Sequence, residues 1–147
     1  MKPSRVVVEI SSTVRRLAIS HRRIRDLVER TLRQEKIRDA MVSIAFVGRT
    51  TMSRMNRDYL GHDGPTDVIS FGMGRNARGT PAIGDIYICP DVARRGARHA
   101  GVSLSNELAR LVVHGTLHVA GLKHPDGLTR MQSTMWKKQE RILARRD

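Results

Sequence analysis

The sequence predicts an α+β fold: a small mixed β-sheet of about four strands with helices packed on it, as a single domain over 1–147. Three observations predict it. Short segments rich in β-branched residues alternate with longer segments whose apolar residues recur at helical spacing. A chain of 147 residues is long enough for one domain with its own core. Apolar residues make up 39% of it and aromatics only 3%, so Val, Ile, Leu and Met must fill that core.

The elements follow in order. Val6-Val7-Val8-Glu9-Ile10 reads as a first strand. Ser20 can cap a helix running to about Lys36, with Ile24, Leu27, Val28, Thr31 and Leu32 on one face. Its arginines, Arg22, Arg23, Arg25, Arg30 and Arg33, fall largely elsewhere, as a solvated face or a phosphate-contacting edge. Val42 to Val47 is a second strand ending at Gly48, and Thr50 or Thr51 can cap a short helix through Tyr59. Gly61-His62-Asp63-Gly64-Pro65 is a loop by composition.

Val68 to Phe71 and Ile83 to Cys89 read as a third and a fourth strand, joined as a hairpin through a connection marked by Gly72, Gly74 and Gly79. Pro90 starts a basic helical segment to about Ala100. Ser103 or Ser105 caps the next helix, which buries Leu104, Leu108, Leu111, Val112 and Leu117 and takes Gly121 as its C-terminal stop. A last helix runs from about Leu128 to Ala144. The order of the strands in the sheet is not readable.

Charge and cysteine content narrow the setting. Lys and Arg total 27 against 14 Asp and Glu, a net charge of +13. Such an excess attracts polyanions, RNA foremost, although the chain has no aromatic RNA-recognition motif. The lone Cys89 sits in the apolar run Ile86-Tyr87-Ile88-Cys89 and is expected to be a small buried hydrophobe. One cysteine, no signal-peptide pattern and no membrane-length apolar run together predict a cytoplasmic protein with no membrane partner.

The segment that carries chemistry is His114-Gly115-Thr116-Leu117-His118-Val119-Ala120-Gly121-Leu122-Lys123-His124. On a helix, residues four apart lie one above the other, so His114 and His118 can aim at one ion. Gly121 ends the helix, and His124 can return as a third ligand. Three imidazoles leave a fourth zinc position open, the arrangement of a catalytic site, in which a bound water's pKa falls to about 7. The predicted cofactor is one Zn2+ per chain, although three imidazoles suit several divalent ions. The same spacing occurs in metzincin peptidases, where Glu follows the first histidine as general base. Gly115 stands there in this chain, which argues against proteolysis.

These residues resemble the signature of the YbeY family of bacterial endoribonucleases. The resemblance extends to Met55–Phe71, to Gly84-Asp85-Ile86-Tyr87-Ile88 and to Glu107–Val113. It implies zinc ligands at His114, His118 and His124, cleavage of single-stranded RNA, and a role in 3′-end maturation of small-subunit ribosomal RNA and in ribosome quality control. Its implied partners are ribosomal RNA and ribosomal or assembly proteins. Two positions depart from the pattern: Leu60 stands where many members have Arg, and Lys123 where many have Asp before the third histidine. Arg54 and Arg57 lie about one helical turn from Leu60. No general base is assigned; Asp85 and Glu107 are the candidates for acid–base or supporting work, with Thr66 and Asp67 as turn caps or substrate contacts. Two rivals stand beside the nuclease: a non-catalytic ribosome-assembly or RNA-binding factor with structural zinc, and a metallopeptidase-like hydrolase.

Overall fold

The computed structural model describes residues 4–73, 79–122 and 134–145. Four strands, β1 (Arg5–Ser12), β2 (Asp39–Phe46), β3 (Val68–Gly72) and β4 (Ala82–Ile88), form one sheet in the order β1-β2-β4-β3. β1 and β2 pair in parallel, as do β2 and β4, while β3 pairs with β4 antiparallel. The expected mixed sheet and the expected hairpin are both present. β4 enters between β2 and β3, an insertion that segment-by-segment periodicity cannot reveal because periodicity reports faces and not neighbours.

Among the described residues five helices accompany the sheet: α1 (His21–Gln34), α2 (Arg49–Leu60), α3 (Pro90–Ala100), α4 (Leu104–Val119) and α5 (Thr134–Ala144). Ser20 caps α1, its hydroxyl accepting from Arg23 N at 3.1 Å. α2 begins two to three residues earlier than a cap at Thr50 or Thr51 would place it. Gly48 is its N-cap, without a side-chain bond, so Thr50 and Thr51 lie inside the first turn and do not cap it. The predicted start of the last helix at Leu128 lies outside the described residues. No helix among the described residues is long and apolar enough to cross a membrane.

Strand alternation divides the sheet into two unlike faces. Val8, Val42 and Gly84 form one cross-strand row and Ile10, Ile44 and Ile86 the next, all on the face that α1 and α4 cover. The opposite face carries Val7, Met41 and Ile83 in one row, then Glu9, Ser43 and Asp85. α2 covers part of that second face through a smaller cluster of Val47, Met52, Ile69 and Cys89. Cys89 is fully buried there, the small hydrophobe that its sequence context predicts.

α4 is the centre of the molecule, packed against α1, α3, α5, β3 and β4. Its second half is buried except for the partly exposed His118, which is why its sequence is largely apolar and not striped. Two glycines permit so close an approach. A methyl group at Gly84 would lie 2.5 Å from Phe71 O and 2.7 Å from a Val119 methyl carbon. A methyl at Gly115 would lie 2.7 Å from Ile86 Cγ2.

Candidate metal centre

α4 is fixed at both ends by its own sequence. Ser103 caps it, accepting from Asn106 N at 3.0 Å. At the other end Gly121 takes φ +104. Gly121 N donates to His118 O at 2.9 Å and Leu122 N to Leu117 O at 3.0 Å. This is the paired bonding of a Schellman ending. The turn has a direct consequence for the site: it carries the Leu122 carbonyl back beside His118.

His114 and His118 meet edge to face one turn apart, their ring centroids 4.8 Å apart and their planes at 77°. His114 Nδ1 lies 2.7 Å from Gln139 Oε1, in the buried interior between α4 and α5. His118 Nδ1 lies 3.1 Å from Leu122 O. The Leu122 carbonyl only accepts, so His118 Nδ1–H is the donor there, and Gln139 Oε1 places His114 Nδ1 to donate likewise. A neutral ring held in this way carries its lone pair on Nε2, the form in which a histidine binds a metal. The donor set fits a zinc-like ion: two imidazoles on one helical face, each oriented through its other nitrogen.

His124 and Lys123 lie outside the described residues. Among the described residues no group of three or more His, Cys, Asp or Glu side chains could hold a metal; the structure brings together two of the three expected ligands.

The two candidate carboxylates occupy different places. Asp85 projects from the sheet face opposite α4, where it accepts from Ser43 Oγ at 2.5 Å. Its neighbours Gly84 and Ile86 face α4, so alternation turns Asp85 away from the histidines. Glu107 is on α4 and mostly buried, bonded by Arg110 Nη1 at 3.1 Å. Arg110 also grips Glu140 at two points, Nε to Oε2 at 2.9 Å and Nη2 to Oε1 at 3.1 Å. The Glu140 bond, opposed by burial and helped by Glu107, holds the Arg110 guanidinium above its ordinary pKa. Thr66 Oγ1 donates to Asp67 Oδ1 at 3.5 Å, and the Asp67 carbonyl accepts from Cys89 N at the entry to β3. Leu60 is exposed at the end of α2, as are Arg54 and Arg57, and Arg57 pairs with Asp58.

Sequence reading missed Gln139, which is fully buried and touches His114. A signal for it exists. Met135, Gln139 and Ile142 fall at spacings of four and three, one apolar stripe with an amide in the middle.

Gly115 also gains a physical explanation. It faces Ile86 across the helix–sheet contact, so no side chain fits there, least of all the Glu that a metzincin needs. The metallopeptidase alternative loses its base for a packing reason.

Fold and site together define a class: a small α+β protein whose buried central helix carries two histidines one turn apart beside a glycine-stopped turn. The model of the family described as Endoribonuclease YbeY matches residues 9–147, and the chain belongs to that family. It is 36% identical over 140 residues to a protein of Geobacter sulfurreducens named Endoribonuclease YbeY, covering 93% of each chain. It is 41% identical over 115 residues to one of Geobacillus kaustophilus with the same name, covering 72% of each. A Thermotoga maritima protein solved in solution shares the fold, with TM-score 0.61 and 26% identity over 93% of this chain and 87% of that one.

Proposed function

We propose that the chain is a zinc-dependent, single-strand-specific endoribonuclease of the cytoplasm that matures the 3′ end of small-subunit ribosomal RNA and serves ribosome quality control. The observation that carries this reading is the pair His114 and His118, both held through Nδ1 so that both Nε2 atoms offer a lone pair. The name shared by its relatives, Endoribonuclease YbeY, supports RNA as the substrate. His124 completes the ligand set. When bound, zinc supplies Lewis acidity towards a phosphodiester.

The protein's own residues do the rest. Gln139 and the Leu122 carbonyl orient the two rings. Exposed arginines, among them Arg94, Arg95 and Arg98 on α3, hold the RNA backbone. Ribosomal RNA is the main partner, with ribosomal or assembly proteins beside it. Counterion release then sets the salt dependence: log affinity for single-stranded RNA falls linearly with log salt, by about 0.7 per phosphate neutralised. A flat salt profile, read by fluorescence anisotropy, would contradict the backbone-binding role.

The deciding experiment is cleavage of a small-subunit ribosomal RNA 3′-end precursor by zinc-loaded protein beside a His114→Ala control. The expected result is cleavage by the first and none by the second. Equal cleavage by both identifies a contaminant. Cleavage by neither moves the assignment to a non-catalytic assembly factor, the reading that Leu60 favours by placing an exposed apolar side chain where many family members carry Arg.

A further inference from the structure

Resting on the zinc reading and extending it, we propose that Gln139 is a positioning residue that locks His114 as its Nδ1–H tautomer, and that the Arg110–Glu140 pair sets which way the Gln139 amide faces.

The argument starts from cost. Gln139 is 0% exposed and sits in the apolar stripe of α5 between Met135 and Ile142, which are 1% and 2% exposed. Leu or Met would fill that position without desolvating an amide. Burying an amide without hydrogen bonds is costly. Here both ends of the amide are engaged. Oε1 meets His114 Nδ1 at 2.7 Å and Nε2 donates to Glu140 Oε2 at 2.9 Å.

The second contact fixes the direction of the first. A side-chain amide can flip, exchanging its oxygen for its NH2 group. An ionised carboxylate only accepts, so the NH2 end must face Glu140. Glu140 is held in place as the two-point partner of the Arg110 guanidinium, which is itself steadied by Glu107. The oxygen end is therefore presented to His114, and His114 must be the donor through Nδ1. Nε2 then carries the lone pair of the neutral ring. The order of control runs Glu107, Arg110, Glu140, Gln139, His114. It gives Glu107 a place in the site without contact with substrate.

The test begins with wild-type protein free of metal. Imidazole 15N NMR reads the tautomer directly, and His114 is expected as Nδ1–H. Finding it as Nε2–H overturns the proposal, and this needs no variant to fold. Zinc affinity is then measured by competition with a chromogenic chelator. Gln139→Leu is expected to bind zinc about 10–100-fold more weakly, the range seen when a ligand's hydrogen-bond partner is removed, and to lose the fixed tautomer. The exchange Gln139→Glu with Glu140→Gln restores an acceptor facing His114 and is expected to recover both. A Gln139→Leu variant that melts earlier but keeps the wild-type tautomer and zinc affinity would show a merely structural role and overturn the proposal. Wild-type protein that binds no zinc would instead remove the zinc reading, while the tautomer measurement still decides the role of Gln139.

Discussion

The two faces of the sheet share every strand and almost nothing else. On the covered face, Val42, Ile44, Gly84 and Ile86 are at most 1% exposed or sealed under α4. On the other, Val7, Met41 and Ile83 form an aligned row that is 45%, 55% and 42% exposed. The difference teaches that sequence neighbours in a strand can belong to unrelated environments. Gly84 and Ile86 shape the bed on which the histidine helix lies, while Asp85 between them bonds Ser43 on the far side. A conspicuous block such as Gly84-Asp85-Ile86 is thus two features interleaved, and only the glycine and isoleucine bear on the histidines.

The largest effect that tests this contrast is truncation within matched rows. Ile44→Ala should cost about 2–5 kcal/mol, the lost transfer energy plus a cavity in a dense core. Met41→Ala, three positions away on the same strand but on the open face, should stay within about 0.5 kcal/mol. Urea unfolding of both variants measures the difference directly. Equal losses would mean that the open face is not open.

Next comes the closeness of α4 to the sheet. Alanine normally improves a helix interior by about 1 kcal/mol over glycine. Gly115→Ala should do the reverse, because its methyl overlaps Ile86 and overpacking costs about 1–3 kcal/mol. The sign is checked by a double-mutant cycle with Ile86→Ala, which vacates the space the methyl needs. The double variant should be more stable than the sum of the single losses predicts. Additive losses would place the strain somewhere other than the Ile86 contact.

Much of this architecture was legible in the sequence, for reasons that differ by element. The covered face announced itself through Val8, Val42 and Ile44, because strand alternation is a local signal. The caps Ser20 and Ser103 and the stop at Gly121 were legible because each acts within a few residues of itself. The start of α2 was misread because Thr50 and Thr51 have capping chemistry, whereas Gly48 supplies the extended backbone one residue before the helix without any side-chain bond. Strand order was hidden because β4 finds its partner β2 only after α2 and β3 have intervened. The histidine pair was legible from a spacing of four. Gln139 was not, since its partner lies 25 residues earlier on another helix and nothing local ties the two together.

The smallest effect is the sharpest test of the two-face picture at the site itself. Asp85→Asn keeps an oxygen able to accept from Ser43 Oγ and removes one charge from an exposed position. Its stability cost should fall within about 0.5 kcal/mol, as for surface changes away from special features. Its zinc affinity should match the wild type within the error of a chelator titration, because the sheet separates Asp85 from His114 and His118. Arg110→Met, although Arg110 is also no ligand, should weaken zinc binding, because it releases Glu140 and with it the amide that orients His114. The pair of variants therefore separates distance along the chain from connection through hydrogen bonds. A tenfold loss of zinc affinity in Asp85→Asn would mean that the carboxylate reaches the metal centre and that the sheet does not divide the molecule as the strand alternation requires.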